Sequence, residues 1–447
     1  MTNDHESKYL VAVIGAGPAG LYAAKYLADN GARVVLFNRD IKPGGLAEYG
    51  IFHKKHRMKE GLRKQFRSIL ASEPITYYGN VTIGMEADLS LSELKQLGFQ
   101  ATLVSVGAQG TKWLGLPGED LDGVYHAKDI VYHYNKLPPY SEQAFSIGKR
   151  VALIGVGNVM IDIAHWAIRD LKVEEVIAVA RRGPAEIKFT KKELQNVARN
   201  LDMAALELEL ARVSERMAAV DQDPEETKAF IHSAFPKALE PVSDTRFRFE
   251  FLSSPKQMLG DEGDHVCGLE VDDTKLEPRN GDTKAVRLGT TRVLDVDTVV
   301  FCIGDKVDEY FGLPIQWNEF VKNPEPRFPI NDLSYEAYDP EADSPIEAVF
   351  VAGWSREASS GLVGIARKDG ECGAKAMLQY LEGVSPAQDI AGALEKVSQA
   401  IGGLSHPVVD KTGVQKLEAL EQAEAEKRGL EAFKFGSNQK MLSLLSE

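Results

Sequence analysis

Two stretches of the chain share one pattern, and this pattern limits the fold more than any other feature of the sequence. Residues 11–38 read VAVIGAGPAGLYAAKYLADNGARVVLFN, and residues 149–184 read KRVALIGVGNVMIDIAHWAIRDLKVEEVIAVARRGP. Each begins with an apolar strand, turns at glycines into an amphipathic helix, and ends in a second strand rich in Val, Ile and Ala. A strand–turn–helix–strand unit of this kind opens a nucleotide-binding α/β domain. Two such units predict two nucleotide-binding domains.

The first glycine turn has the spacing of a dinucleotide-binding fingerprint. Gly15 permits the tight turn, Gly17 lets the backbone approach a pyrophosphate, and Gly20 lets the helix pack closely on the strand. The free N–H groups at the start of that helix favour phosphate. Because the motif follows a strand, opens a helix and precedes a second strand, we predict a dinucleotide site rather than a turn that serves packing alone.

The second strand of this unit ends on Asn38, where an acid that holds a ribose is usual. Asparagine keeps one carbonyl acceptor and gains two donors, but it lacks the charge that strengthens the hydrogen bonds of a carboxylate. We therefore expect Asn38 to weaken one anchor of the dinucleotide without abolishing the site. A surface asparagine without a ligand is the alternative interpretation.

The second glycine turn, GVGNVM at residues 155–160, has Met160 in place of the third small residue. The strand after its helix ends in VARRGP, which places Arg181 and Arg182 where this fold puts the adenosine ribose. Two guanidiniums offer bidentate contacts to a 2′-phosphate, whereas an acid would repel it. The pair therefore favours NADP(H) over NAD(H), with a solvated arginine pair as the alternative.

The cysteines and histidines exclude several kinds of site. Cys267, Cys302 and Cys372 are far apart and form no C-x-x-C pair, so neither a redox dithiol nor a cysteine-bound cluster is encoded. We expect all three to be small buried hydrophobic residues. The nine histidines show no metal-binding spacing, and we expect no metal.

Charge and hydropathy indicate the kind of partner. The formal net charge of −14 argues against nucleic acid as the main partner. No apolar run approaches the roughly 18 residues that a membrane span needs. The polar N-terminus shows no signal or transit peptide, and we expect a cytoplasmic protein.

Further stretches carry a resemblance to one family. Besides the first fingerprint they are PGGLAEYGI (43–51), YGNVTIG (78–84), SVGAQGTKWLGLPGEDLDGVYHAKDIVYHYN (105–135), GVGNVMIDIA, ARRGPAEIKFTKKEL (180–194), RFRFEFLSSPKQMLG, VAGWSREASSGLVGIA, and a tail from VVDKTGVQKLEALE to FKF. On these residues the chain resembles the adrenodoxin-reductase-type ferredoxin–NADP reductases, a branch of the two-dinucleotide flavoprotein superfamily. The combination is far more specific than any one motif.

The resemblance implies an α/β fold with two Rossmann-like dinucleotide-binding domains, in which the NADP domain is inserted into a discontinuous FAD domain. We place the FAD-binding domain at residues 1–107 and 319–447 and the NADP-binding domain at residues 108–318. The Glu- and Lys-rich tail from 411 to 434 is expected to form an amphipathic helix packed on the first domain.

The resemblance also implies the residues that hold each cofactor. Those assigned to FAD are Gly15, Gly17, Ala19, Gly20, Asn38, Leu46, Val81, Gly353, Trp354, Gly361, Leu362 and Val363. Those assigned to NADP are Val156, Gly157, Asn158, Val159, Arg181, Arg182, Glu193 and Gly361. The chain departs from the family pattern at Asn38, at Met160, and at Glu48, where a basic residue is common.

No side chain needs to act as a catalytic acid or base for the predicted reaction. NADPH would pass a hydride to FAD at flavin N5, which requires positioning rather than acid–base catalysis. Electrons would then pass singly to an iron–sulfur carrier such as ferredoxin. Without a C-x-x-C pair, the chemistry of thioredoxin and glutathione reductases is excluded within this chain.

A basic block, FHKKHRMKEGLRKQFR at residues 52–67, follows a loop expected near the flavin. It could steer an acidic ferredoxin, although a solvated helix face explains it equally well. The residues assigned to docking are Lys54, Lys55, Arg63 and Lys64.

Two alternatives stay open at this point. The first is the electron-input subunit of a larger complex, like the small subunit of glutamate synthase, which normally carries a cysteine-rich cluster domain before the FAD strand. The second is a flavin- or nucleotide-binding regulatory protein without turnover, which would be yellow but would not be bleached by NADPH. Asn38 further predicts that FAD is partly lost on purification.

Overall fold

The structure is a computed structural model that describes residues 7–279, 281–359 and 361–446. The chain divides into two compact units. The first unit comprises the chain up to Thr111, Tyr132–Glu142, and the chain from Gly304 onward; the second comprises Lys112–Val131 and Gln143–Ile303. The second unit therefore lies, in sequence, between the parts of the first.

The strands of the described residues, in chain order, are β1 (Tyr9–Ile14), β2 (Ala32–Asn38), β3 (Ile75–Gly79), β4 (Ala101–Val104), β5 (Gly110–Thr111), β6 (Val124–His126), β7 (Arg150–Ile154), β8 (Glu175–Val179), β9 (Arg246–Glu250), β10 (Ser253–Gly260), β11 (Val266–Arg279), β12 (Asp282–Leu294), β13 (Thr298–Phe301), β14 (Asp305–Lys306), β15 (Ile315–Gln316), β16 (Glu319–Phe320), β17 (Glu336–Asp339) and β18 (Ser344–Val351).

The α-helices are α1 (Pro18–Asp29), α2 (Leu46–Tyr49), α3 (His56–Leu70), α4 (Leu91–Gln96), α5 (Ala127–Tyr134), α6 (Asn158–Trp166), α7 (Lys191–Leu194), α8 (Met203–Ala218), α9 (Pro224–His232), α10 (Val363–Glu382), α11 (Ile390–Gly402), α12 (Lys411–Arg428) and α13 (Asn438–Ser446). Short 3₁₀ turns join several of them, and a π-helical turn, Ala167–Leu171, continues α6.

The first unit is built on a six-stranded sheet in the order β17-β18-β4-β1-β2-β3. All neighbours are parallel except β17 and β18, which are antiparallel. Alternate residues of β1 belong to different cores: Val11 and Val13 pack in one, whereas Leu10, Ala12 and Ile14 pack in the other. Because both faces of the sheet are buried at β1, this strand is a continuous apolar run, as is usual for strands of a parallel sheet.

The second unit contains a five-stranded parallel sheet, β6-β13-β7-β8-β9, and a three-stranded antiparallel sheet, β10-β11-β12. Helices α7, α8 and α9 lie between β8 and β9 in the chain. Apolar residues of both sheets form one core. The α/β class with two Rossmann-like sheets, predicted from the sequence, is confirmed.

The expectation that all three cysteines are buried is wrong. Cys372 on α10 is buried, but Cys302 is only partly covered and Cys267 is exposed. Cys267 lies on β11, where successive side chains point to opposite faces, and its neighbour Val266 takes the buried face. Residue type alone therefore does not predict the burial of these cysteines.

The tail forms the predicted helix as far as Arg428, and Gly429 ends α12 in the left-handed conformation. Val414 and Leu417 of α12 join the core of the first unit. Among the described residues, no helix is both long enough and apolar enough to cross a membrane.

Candidate functional site

The first glycine turn leaves an open space at its centre. Gly15 has φ +98°, and a Cβ there would lie 2.5 Å from the carbonyl oxygen of Ser105. A Cβ on Gly20 would lie 1.9 Å from the carbonyl oxygen of Gly15, so both positions require glycine. A Cβ on Gly17 would meet nothing within 4 Å. Gly17 thus borders a space that a ligand could fill, at the start of a helix without a side-chain cap.

Neighbouring segments hold this turn in place. The Ser105 hydroxyl is within hydrogen-bond reach of the carbonyls of Ile14 and Gly15, at 2.9 and 3.0 Å. Gly44 donates its N–H to the carbonyl of Ala16 at 2.8 Å, which brings the loop before α2, and hence Leu46, to the turn. Ser105 could be found from sequence only as a polar residue at the end of an apolar strand, which is a weak signal.

Asn38 is an anchor of the loop that surrounds the turn. Its side-chain oxygen accepts the N–H of Ala16 at 2.9 Å, and its amide donates to the carbonyls of Asp40 and Lys42 at 2.8 and 3.1 Å. The residue is 7% exposed. Its two donors are committed to the loop, so none is left for a ribose hydroxyl. The N–H of Val81 donates to the carbonyl of Asn38 at 3.0 Å, which places Val81 beside it.

Glu48 is buried in a cluster of charges. Both of its carboxylate oxygens accept from Arg63, at 2.7 and 2.6 Å, and one also accepts from Lys434 at 2.5 Å. Burial alone would raise the pKa of Glu48, but Lys434 and Arg63 outweigh it and hold the pKa well below its ordinary value. The departure from the family pattern at Glu48 is thus matched by two cations of the same unit.

The same contacts decide which residues of the basic block face outward. Arg63 is committed to Glu48 and only 18% of its side chain is exposed, so it does not belong to a docking surface. Lys59 is buried against Asn135. Burial and, to a smaller extent, the nearby charge of Lys434 together lower the pKa of Lys59 to about 6. Lys54 and Lys64 are exposed and Lys55 is partly exposed.

Helix α12 and the segment that follows it are attached to this charged cluster. Lys42 forms a buried ion pair with Glu421 of α12. The other oxygen of Glu421 accepts the N–H of Phe435 at 3.0 Å, and Lys434 also donates to the carbonyl of Glu48 at 2.9 Å. These contacts fix the chain after α12 against the loop that carries Leu46.

The segment assigned to the flavin end is held by Asp369 of α10. Its carboxylate accepts the N–H of Gly353 at 2.6 Å and forms an ion pair with Arg356 at 2.7 Å. Gly353 has φ +65°, and a Cβ there would lie 2.7 Å from the Cβ of Ala19. Gly353 and its neighbour Trp354 therefore lie beside α1.

The start of α10 contains the remaining residues assigned to the flavin end. Helices α1 and α10 cross closely, because a Cβ on Gly370 would lie 2.1 Å from the carbonyl oxygen of Ala19. The first residues of α10 come about two turns earlier, roughly 10 Å along the axis. No side chain of the described residues caps this end, and Leu362 is 72% exposed. Gly361, Leu362 and Val363 thus present uncapped N–H groups, which favour negative charge.

The second glycine turn repeats the geometry of the first. Gly155 has φ +126°, and a Cβ there would lie 2.5 Å from the carbonyl oxygen of Cys302, whereas a Cβ on Gly157 would meet nothing within 4 Å. Helix α6 starts without a side-chain cap. Met160, at the third small position, is fully buried and so packs into the core.

The residues around this turn support it. The Asn158 side-chain oxygen accepts the N–H of Thr190 at 2.8 Å, and the Val156 carbonyl accepts the N–H of Lys188 at 2.9 Å. Val159 is exposed at the start of α6. Glu193 lies in α7, which Thr190 caps. Val156, Asn158 and Glu193, three of the residues assigned to NADP, are therefore connected through the segment from Lys188 to Thr190. Gly361, also assigned to NADP, belongs to the first unit.

Arg181 and Arg182 differ in their surroundings. Arg181 is exposed and has no ion-pair partner among the described residues. Arg182 is partly buried and donates through Nη1 to both oxygens of Asp282, at 3.1 and 3.2 Å. Nothing in the sequence pattern indicated Asp282, which is 100 residues away from Arg182 in the chain.

Comparisons with known proteins agree with these features. The family described as "Pyridine nucleotide-disulphide oxidoreductase" matches residues 9–226. NADPH:adrenodoxin oxidoreductase of Bos taurus is 26% identical over 97% of this chain and 92% of that protein. NADPH-ferredoxin reductase FprA of Mycobacterium leprae is 25% identical over 94% of each chain.

A solved structure shows the same fold. Mycobacterium tuberculosis FprA in complex with NADPH has a TM-score of 0.81, with 24% identity, over 98% of this chain and 100% of that one. The resemblance predicted from the sequence motifs is confirmed. Over almost its whole length the chain is similar to proteins named NADPH:adrenodoxin oxidoreductase and NADPH-ferredoxin reductase.

Proposed function

We propose that this protein is a FAD-dependent oxidoreductase that moves electrons between NADPH and a one-electron iron–sulfur carrier such as ferredoxin. The observation that carries the proposal is the pair of glycine turns, each with an open central glycine at an uncapped helix start. One turn of this kind serves one dinucleotide, and an NADPH–flavin reductase needs two. Relatives named as NADPH:adrenodoxin oxidoreductase and NADPH-ferredoxin reductase support the same activity.

FAD is assigned to the first turn and NADP to the second. The uncapped start of α10 supports the first assignment, because its N–H groups suit the charge of a reduced flavin. Arg181 and Arg182 support the second, because guanidiniums suit a 2′-phosphate. The corresponding domains are residues 1–107 with 319–447 for FAD, and residues 108–318 for NADP.

The protein's own residues position the cofactors. FAD, when bound, supplies the hydride acceptor and the stepwise release of single electrons. The N–H groups of α1 hold its pyrophosphate, with Gly17 allowing close approach and Ser105 holding the turn. Asp369 fixes Gly353 and therefore the flavin-end segment. Asn38 acts indirectly, by holding Ala16 in place.

The partner is an iron–sulfur protein, and ferredoxin is the carrier that the relatives' names favour. Lys54, Lys55 and Lys64 form the docking surface, without Arg63. Positive charge there would steer an acidic carrier toward a protein whose net charge is −14. Neither nucleic acid nor a membrane is part of the proposed function, and the cytoplasm is the proposed location, although several relatives are mitochondrial.

The electron-input subunit of a glutamate-synthase-like complex is not favoured. The relatives named as NADPH:adrenodoxin oxidoreductase and NADPH-ferredoxin reductase align over nearly the whole of this chain. A reductase that acts on a separate iron–sulfur carrier explains this match without a further subunit.

The test is NADPH-driven cytochrome c reduction with and without added ferredoxin. We expect ferredoxin to stimulate the rate, and the stimulation to fall with salt because docking is electrostatic. No stimulation by any ferredoxin, with NADPH oxidation intact, would keep the flavoenzyme and overturn the proposed acceptor.

A charge-reversal series tests the docking surface. Changing Lys54, Lys55 and Lys64 together to Glu should weaken ferredoxin-dependent reduction and leave ferricyanide reduction unchanged. The matched control changes Lys95, Lys237 and Lys396, three exposed lysines outside residues 52–67, to Glu. Equal losses in both triple variants would show that net charge, rather than this surface, controls the encounter.

A further inference from the structure

The arginine assigned to the 2′-phosphate already has an anionic partner. Asp282 is the first residue of β12, at the turned end of the β11–β12 hairpin. Its two carboxylate oxygens accept from Nη1 of Arg182 at 3.1 and 3.2 Å, and the carbonyl of Thr283 lies 3.5 Å from the same nitrogen. A carboxylate therefore already pairs with Nη1 of Arg182, one of the nitrogens that could contact a phosphate.

The hairpin end is fixed in this place by other hydrogen bonds. Asp282 accepts the N–H of Thr283 at 2.8 Å, and the Thr283 hydroxyl donates to Glu186 at 2.6 Å. Gln222 donates to the same oxygen of Glu186 at 2.8 Å. Hydrogen bonds therefore connect the hairpin end to the segment after the arginine pair. In this arrangement Asp282 faces Arg182.

The hairpin is also attached to the arginine pair from its other strand. The hydroxyl of Thr274 on β11 donates to the carbonyl of Arg181 at 2.7 Å. The pKa of Asp282 is lowered by the N–H of Thr283 and by the charge of Arg182, so the carboxylate is ionised at neutral pH. Arg181 lacks any such partner among the described residues.

We propose that Asp282 is a specificity-determining residue that competes with the 2′-phosphate for Arg182. A 2′-phosphate at Arg182 must displace the carboxylate or bind beside a like charge, and either costs affinity. A nucleotide with a free 2′-hydroxyl bears no such cost, and Asp282 could accept its hydrogen bond. The preference for NADPH over NADH is therefore smaller than the arginine pair alone would give. This inference rests on the proposed binding of NADP to the second unit.

Calorimetric titration of the whole protein with 2′,5′-ADP and with ADP tests the competition by nucleotide binding alone, without a redox reaction of the flavin. Asp282→Asn keeps the acceptor for the Thr283 N–H and removes the charge. We expect its affinity for 2′,5′-ADP to rise about two- to five-fold, the scale of an exposed ion pair, and its affinity for ADP to stay the same or fall. The gain should shrink as salt is raised. With NADPH as substrate, KM should fall while kcat is unchanged.

The matched control is Asp261→Asn. Asp261 is also an exposed acid in a turn of the same antiparallel sheet, and it accepts the N–H groups of Gly263 and His265 at 2.8 and 3.1 Å. It has no arginine partner among the described residues, so its neutralisation should change neither affinity. In an Arg182→Gln background, Asp282→Asn should also have no effect, because the competition needs both residues.

The outcomes separate this inference from the proposed function. A wild-type protein that binds neither 2′,5′-ADP nor ADP, or an Arg182→Gln variant that binds 2′,5′-ADP as tightly as the wild type, would overturn the assignment of NADP to the second unit. Suppose instead that the wild type prefers 2′,5′-ADP, but that Asp282→Asn does not increase this preference or that Asp261→Asn increases it equally. Either result would overturn the role of Asp282 and leave the proposed function intact.

Discussion

Neutralising Asp369 should weaken FAD binding as well as destabilise the fold. The carboxylate accepts from four donor atoms: the N–H of Gly353 at 2.6 Å, the Tyr335 hydroxyl at 3.0 Å, and Nε and Nη2 of Arg356 at 2.9 and 2.7 Å. Asp369→Asn replaces one acceptor oxygen by an amide that only donates. One of the present donors must then face another donor, so the Gly353 segment loses part of its anchor.

The size of the effect follows from burial. The side chains of Arg356 and Asp369 are 9% and 12% exposed. Removing one partner of such a buried pair costs about 3–5 kcal/mol, and the surviving hydrogen bonds place Asp369→Asn near the lower figure. At roughly 2–4 °C per kcal/mol, Tm should fall by about 6–12 °C. A flexible flavin-end segment should raise the Kd for FAD by about ten-fold, equivalent to about 1.4 kcal/mol.

Two measurements on the apoprotein separate these effects. Circular dichroism gives Tm, and quenching of FAD fluorescence gives the Kd well below Tm. The matched control is Glu336→Gln, since Glu336 is 1% exposed and its side chain pairs with Nε of Arg327 at 2.6 Å. Glu336 lies on β17, and within the described part of the chain no hydrogen bond joins its side chain to the segments assigned to FAD.

Glu336→Gln should therefore lower Tm with little change in the Kd for FAD. The reasoning would be refuted if both variants weakened FAD equally, or if Asp369→Asn lost stability and bound FAD as tightly as the wild type.

Three further variants test other contacts of the first unit. Asn38→Asp should lower the free energy of unfolding by about 1–3 kcal/mol in a urea titration, because buried loop carbonyls lose their donor; tighter FAD without lost stability would contradict the anchoring role. Lys434→Met should cost about 3–5 kcal/mol, since it leaves the buried Glu48 with only one of its cations; an unchanged urea midpoint would show that the pair contributes nothing. Lys59 binds its proton less tightly when folded, with a pKa of about 6, so its neutral form favours folding and stability should rise with pH above 6. Lys59→Met should remove up to about 1.4 kcal/mol per pH unit of this rise between pH 6 and 8; equal slopes in both proteins would contradict it.

The parts of the site that sequence could predict are local. Gly15, Gly17 and Gly20 lie within six residues, and the strand and helix around them are fixed by apolar periodicity. Their steric roles can be inferred from spacing, and the structure gives each the environment that this spacing requires. The same reasoning applies to the turn at Gly155 and Gly157.

The parts that could not be predicted depend on contacts between distant positions. Asn38 resembled a weakened ribose ligand, but its donors are used by carbonyls whose direction depends on the fold of the loop. Arg63 belonged to a basic run in the sequence, yet its guanidinium turns toward Glu48 because that buried carboxylate needs a cation. The partner of Arg182 lies on a hairpin 100 residues later. A hydrophobic pattern carries no information on such pairs.

The central claim is that one chain binds FAD and accepts a hydride from NADPH. Anaerobic titration of the FAD-loaded protein with NADPH, followed by the visible absorbance of the flavin, tests it most directly. We predict one FAD per chain, bleaching that is complete near one equivalent of NADPH, and recovery of the colour when oxidised ferredoxin is added. A flavin that stays yellow in excess NADPH, or a chain that binds NADPH and never binds FAD, would contradict the account.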